Sequence, residues 1–173
     1  MNIKNIIRNI ADFPKPGILF RDISPLLADP KAYHYVIDKF FERYAPEKNK
    51  IDAIIGIESR GFLFATTLAY KLELPFAMIR KKGKLPPPTE FYEYKLEYGT
   101  DTIELLSNAV KPGDSILLMD DLLATGGTAL ASCHLIEKMG GKVFEIATVI
   151  ELGFLHGREQ LKDYRVFSQT VYE

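Results

Sequence analysis

The stretch from Ile116 to Thr128, Ile-Leu-Leu-Met-Asp-Asp-Leu-Leu-Ala-Thr-Gly-Gly-Thr, constrains this chain more than any other. Its opening apolar run suits a strand covered on both faces, as in a parallel sheet. Ser115 to Met119 therefore reads as a strand, followed by two acids, a small-residue loop, and a helix from Thr128 to Met139 that stops at Gly140-Gly141. In an open α/β sheet the ligand crevice lies outside the carboxyl ends of the strands, which is where this order puts Asp120, Asp121 and the loop. Ala124, Thr125, Gly126, Gly127 and Thr128 carry little bulk, so backbone N–H groups can approach an anion. The two hydroxyls and the following helix N-terminus add donors and partial positive charge. The stretch lacks the GK[ST] ending of a Walker loop and any GxGxxG, which removes the main support for a nucleoside triphosphate or a dinucleotide. Carboxylates beside a phosphate repel it unless they have another task, and accepting hydrogen bonds from sugar hydroxyls is that task. Acidic pair plus cradle describes a site for a sugar phosphate.

The rest of the chain supports the same layering. Asp29-Pro30 has the form of a helix start, and Tyr33, Val36, Ile37, Phe40, Phe41 and Tyr44 follow at helical spacing to about Pro46. Ala53 to Ile57 reads as a buried strand, Phe62 to Lys71 as a helix, Phe76 to Ile79 and Val143 to Ile150 as further strands. Strands alternating with helices imply right-handed crossovers and a doubly wound, mostly parallel α/β sheet. Ile3, Ile6, Ile7 and Ile10 predict a short N-terminal helix, stopped by Asp12-Phe13-Pro14-Lys15-Pro16-Gly17. Residues 80–101 break the rhythm: Leu85-Pro86-Pro87-Pro88-Thr89 fits neither helix nor central strand, while Phe91 to Tyr98 alternates weakly and can pair as a hairpin. Such an excursion is expected to be a lid or binding loop.

At 173 residues with 47% hydrophobic content, one domain spanning 1–173 is expected. The net charge of −1 gives no bulk pull toward nucleic acid or an anionic membrane. Neither a signal-peptide core nor an apolar stretch of membrane-spanning length occurs, and the only cysteine, Cys133, sits in an apolar helical stretch, so a cytoplasmic location is expected. Two further clusters carry charge. Glu58-Ser59-Arg60-Gly61 follows a predicted strand, where Arg60 offers a planar fork of donors and Gly61 permits a turn exposing N–H groups. Arg80, Lys81, Lys82 and Lys84 concentrate positive charge in an otherwise near-neutral chain, a way to draw in an anionic substrate.

Five ordered blocks carry a resemblance: Phe13 to Pro25, Glu58 to Phe62, Arg80 to Pro86, Leu96 to Gly99, and the cradle itself. Together they resemble the type I phosphoribosyltransferases, and specifically the adenine-specific members of that family. The resemblance implies that adenine and phosphoribosyl pyrophosphate (PRPP) give AMP and pyrophosphate, with Mg²⁺ held by PRPP and no direct protein ligand. It implies a small N-terminal hood over residues 1–30, a flexible lid over 80–101, and the PRPP motif over 116–139. The phosphate goes to Ala124 through Thr128, the ribose to Asp120 and Asp121, the pyrophosphate to Ser59, Arg60, Arg80 and Lys84. Adenine goes to Leu19, Phe20 and Arg21, with Phe20 stacking on the purine. Glu97 is the implied base for the purine proton, Tyr98 shapes the lid, and Arg80 reaches the neighbouring subunit of a homodimer. Two alternatives stand: a 6-oxopurine phosphoribosyltransferase, opposed by Ala124 where such enzymes carry Asp, and a non-catalytic PRPP sensor, opposed by the lack of room for a DNA-binding module. Pro87 departs from the Gly common among relatives and stiffens the lid.

Overall fold

The computed structural model describes residues 1–95 and 99–173. Its centre is a seven-stranded sheet in the order β5-β6-β4-β3-β7-β8-β9. The strands are β3 (Ala53–Ile57), β4 (Phe76–Lys81), β5 (Thr89–Lys95), β6 (Thr100–Leu106), β7 (Ser115–Leu123), β8 (Lys142–Leu152) and β9 (Val166–Tyr172). From β4 through β9 the ladder is parallel, and β5 and β6 add an antiparallel edge. All five residues of β3 are buried, as a strand with helices on both faces requires. On one face lie α2 (Pro30–Tyr44) and α3 (Gly61–Leu72), which bury Phe40, Phe64 and Leu68. On the other lies α4 (Gly127–Lys138), which buries Cys133, Leu135 and Ile136 against Ile55 and Leu118. The doubly wound, mostly parallel arrangement read from the sequence is therefore the one observed.

The start of α2 follows from local chemistry. Asp29 accepts hydrogen bonds from the Lys31 and Ala32 N–H groups at 2.9 and 3.3 Å, and Pro30 fills the first turn, where no N–H is needed. At its end, Arg43 grips buried Glu145 of β8 through Nε and Nη2 at 2.8 and 2.7 Å, and the Tyr44 hydroxyl donates to the same carboxylate at 2.7 Å. Burial alone opposes ionisation of Glu145, but the Arg43 and Tyr44 hydrogen bonds outweigh it and hold the carboxyl below its ordinary range. Replacing Glu145 by alanine leaves the buried Tyr44 hydroxyl and the Arg43 fork unpartnered. The expected loss is about 2 kcal/mol of stability, measurable as a lower urea midpoint with unchanged m-value.

Two expectations need correction. The predicted N-terminal helix is a single 3-10 turn (Ile3–Asn5) followed by a strand, β1 (Arg8–Ala11). That strand pairs antiparallel with β2 (Leu19–Asp22) to form the hood, a separate two-stranded sheet. Pairing wins because the isoleucine spacing needs only Ile3 and Ile7 inside, while Arg8 reaches across the hairpin to Asp22 at 2.9 Å. Secondly, β7 does not stop at Met119: it continues through Asp120 and Asp121 to Leu123, carried by its ladder with β8. The hairpin pairing expected within Phe91 to Tyr98 is observed, starting earlier, with β5 at the sheet edge paired with β6 from Thr89↔Leu106 to Lys95↔Thr100. The short helices α1 (Ser24–Ala28) and α5 (Gly157–Gln160), like β9, had no periodic signal.

Candidate active site

The chain runs from β3 outward to β4, then returns to lay β7 on the other side of β3. The switch point of the sheet is thus between β3 and β7, where open α/β sheets place their ligands. The β3–β7 ladder ends at Gly56↔Met119, so Asp120 and Asp121 stand beyond the paired part of β3, facing the Glu58–Arg60 turn. A cleft of about 480 Å³ opens there. It is lined by Phe20, residues 58–60, Lys81, residues 120–129, Ile146 and Thr148.

The acid doublet is the electrostatic centre. Asp121 N–H donates to Asp120 Oδ1 at 2.8 Å, and the Arg60 Nη2 lies 3.0 Å from Asp121 Oδ2 without the alignment of a hydrogen bond. Burial raises the Asp120 carboxyl well above its ordinary value, and the charge of Asp121 raises it further. Burial raises Asp121 as well, against the pull of the Arg60 guanidinium. Asp121 Oδ2 is thus buried beside Arg60 with no hydrogen-bond donor aligned on it, while Asp120 Oδ1 accepts from the Asp121 N–H. Arg60 also donates to the Arg21 carbonyl at 3.5 Å, and its guanidinium sits 5.1 Å over the Phe20 ring. One side chain thus ties the acid pair to the hood. Gly61, next in the chain, has no room for a side chain: a Cβ there meets Met119 O at 2.8 Å and both Cα and Oδ1 of Asp120 at 2.9 Å.

Beyond the acids the chain turns into α4 through Gly126, whose φ of +89° is the left-handed conformation that glycine adopts without strain. The N-terminus of this helix of 12 residues opens onto the loop 124–128, where backbone donors and the helix dipole suit an anion. The Thr128 hydroxyl lies 3.3 Å from that of Tyr94, which donates to Asp101 at 3.2 Å.

The structure brings together Asp120, Asp121, Ala124, Thr125, Gly126, Gly127, Thr128, Ser59, Arg60 and Phe20 on one cleft. It does not bring Arg80, Lys84, Leu19 or Arg21 to the cleft wall. Alternation along β4 turns Arg80 away from Lys81, which faces the cleft, and Arg80 closes on Glu58 at 3.3 Å; Lys84, in the turn after β4, reaches the same carboxylate at 2.8 Å. Burial opposes ionisation of Glu58 most strongly, but Lys84, the Lys81 N–H and Arg80 together outweigh it and bring the carboxyl down to about 2. Arg21 instead stacks on Tyr172 at 3.8 Å, and Leu19 is exposed on the hood. Glu97 and Tyr98 lie outside the described residues. Sequence reasoning missed Glu58 and Lys81 as site neighbours, although both stand inside the quoted blocks. It also missed Gly157, which touches the cradle from behind and had only a lone glycine as its signal.

A switch-point cleft with an acid pair beside a small-residue loop at a helix N-terminus is the ligand site of an open α/β sheet. The family model for the phosphoribosyl transferase domain matches residues 23–172. The chain is 53% identical to an adenine phosphoribosyltransferase of Chloroflexus aurantiacus over 96% of this chain and 95% of the relative. The crystal structure of the adenine phosphoribosyltransferase from Thermoanaerobacter pseudethanolicus superposes with a TM-score of 0.93 at 49% identity, covering 98% of both chains. That of Saccharomyces cerevisiae, complexed with adenine and an imino-altritol bisphosphate, gives 0.92 at 39% identity over 97% of this chain and 96% of its own. The chain belongs to the adenine phosphoribosyltransferase family.

Proposed function

We infer that this protein transfers the 5-phosphoribosyl group of PRPP to adenine, giving AMP and pyrophosphate, as its family membership and cleft together support. The observation that carries the reading is the Asp120–Asp121 pair, with Asp121 Oδ2 buried and without a donor, beside the 124–128 loop at the switch point of the sheet. In this reading the cradle holds the 5-phosphate and the acid pair accepts hydrogen bonds from the ribose hydroxyls. Ser59 and Arg60 meet the diphosphate from the β3 side, and Lys81, on the cleft wall, adds positive charge there. Phe20 stacks on the base, with backbone groups of Leu19 and Arg21 reading its edge. Among the described residues no cluster of three or more His, Cys, Asp and Glu could hold a metal ion. A Mg²⁺ carried in with PRPP would supply charge neutralisation for the departing pyrophosphate, beside Ser59, Arg60 and Lys81. Ala124 offers no carboxylate to a 6-oxopurine, which favours adenine over guanine or hypoxanthine.

The reaction needs a proton acceptor as purine N9 bonds to the anomeric carbon, and Glu97 takes that role. Arg80 does not line the cleft of its own chain, which suits a homodimer in which the Arg80 loop reaches the neighbouring site. No helix among the described residues is long and apolar enough to cross a membrane, and the cytoplasm is the proposed location. The test is a panel of purine bases offered with PRPP and Mg²⁺, with mass measurement of the nucleotide formed. AMP from adenine alone supports the reading; IMP or GMP, or no nucleotide, overturns it. Glu97→Gln is expected to lower kcat by about tenfold or more while PRPP affinity stays near wild type. An unchanged kcat removes Glu97 from the chemistry.

A further inference from the structure

Behind the cradle, the segment after β8 presses directly on its backbone. A Cβ built on Gly157 falls 2.2 Å from the Ala124 carbonyl oxygen and 3.2 Å from the Gly126 nitrogen. In return, a Cβ on Gly126 falls 2.6 Å from the Gly157 carbonyl oxygen. Gly157 does not have a left-handed φ, so glycine is needed there for proximity alone. Neighbouring side chains hold this glycine in place. Leu123, the residue before the cradle, pairs in the β7–β8 ladder with Glu151, which is buried. Glu151 grips Arg158, next to Gly157, through two hydrogen bonds of 2.6 and 2.7 Å, and Arg158 also donates to the Val166 carbonyl of β9 at 3.0 Å. Contacts therefore close a ring: cradle to β8, β8 to Arg158, Arg158 through the chain to Gly157, and Gly157 back onto the cradle.

We propose that Gly157, anchored by the Glu151–Arg158 pair, is a positioning residue that sets how far the 124–128 backbone stands back from the cleft, and hence the grip on the 5-phosphate. The inference rests on the reading of the cradle as the PRPP phosphate site. Backbone donors act on an anion only at hydrogen-bond distance, so a wall that advances by a fraction of an ångström changes anion affinity. The base, held at the hood on the other side of the cleft, is insulated from that movement.

The experiment measures KM for PRPP, KM for adenine and direct binding of ribose 5-phosphate in wild type, Gly157→Ala, Arg158→Met and Arg158→Lys. Gly157→Ala is expected to raise KM for PRPP and the Kd of ribose 5-phosphate by about tenfold or more, with KM for adenine within about twofold of wild type. Arg158→Met is expected to raise the same two constants by about threefold, and Arg158→Lys to recover part of that change. Should Gly157→Ala fail to fold, Arg158→Met alone decides. The proposal is overturned if the folded variants bind ribose 5-phosphate as wild type does, or if KM for adenine rises as much as KM for PRPP. Failure of the underlying reading has a different signature, in which wild type itself neither binds ribose 5-phosphate nor forms AMP.

Discussion

Asp121→Asn is expected to raise KM for PRPP by about 10- to 100-fold while leaving KM for adenine within a few-fold of wild type, because a charge-assisted hydrogen bond carries about 1.5–3 kcal/mol. Asp121 is 4% exposed and lies between Arg60 and Asp120. An amide in its place keeps the shape but turns an acceptor into a donor on one side, where the ribose hydroxyl needs an acceptor. The free enzyme responds in the opposite direction. Burial has raised both carboxyls, so ionising the pair costs the folded state energy near neutral pH. For an acid whose folded value exceeds its ordinary value, the stabilising contribution is full below the ordinary value and lost as pH rises through the folded one. Asp121→Asn should therefore keep or raise the Tm of the empty enzyme while weakening PRPP. Because sugar hydroxyls favour the ionised pair, PRPP binding should release a proton and strengthen as pH rises through the raised Asp120 value. Calorimetry in buffers of different ionisation enthalpy reads that proton. An equal rise in KM for both substrates, or a lower Tm in the free variant, removes the ribose role.

Gly61→Ala should be nearly as damaging, through geometry rather than charge. The added methyl lies 2.8 Å from Met119 O and 2.9 Å from Asp120 Cα, and both are backbone atoms of β7. Neither can swing aside as a side-chain end would, so α3 and β7 must separate. Overpacking of this kind costs about 1–3 kcal/mol, which lowers Tm by roughly 2–12 °C in a domain of this size. Since the same methyl pushes on Asp120 Oδ1, the acid pair moves with the strand, and a displacement of about 1 Å at a catalytic site can remove about 100-fold in rate. Thermal unfolding and kcat/KM for PRPP should fall together. A variant with wild-type kcat/KM would show that the acids tolerate displacement and would weaken the ribose assignment.

The contrast between the two glycines and the acid pair shows where the sequence is informative. Asp120, Asp121 and the 124–128 loop are contiguous, so their chemistry is readable from residue order alone: apolar strand, acids, small residues, helix. The same holds for α2, whose start is written in Asp29-Pro30 and whose buried face is written in its spacing. Gly61 and Gly157 look like ordinary turn glycines until β7 and the cradle are seen lying against them. The isoleucines at 3, 6, 7 and 10 match a helix, yet the partner that makes Arg8–Ala11 a strand lies at Leu19–Asp22. Arg80 and Lys84 form part of one cationic run, but only the parity of β4 turns Arg80 to Glu58 while Lys81 faces the cleft, and only the turn after β4 brings Lys84 to the same carboxylate.

From its residues alone this chain discloses an α/β sheet, a small-residue loop with an acid pair before a helix, and the resemblance that those blocks carry, because each is a pattern between near neighbours whose local conformational preferences agree. Only the folded molecule decides how far β7 runs, which cation faces the substrate, and which glycine backs the cradle. Those outcomes depend on register, side-chain direction and close backbone approach between segments distant in sequence, and such contacts exist only once the sheet has assembled.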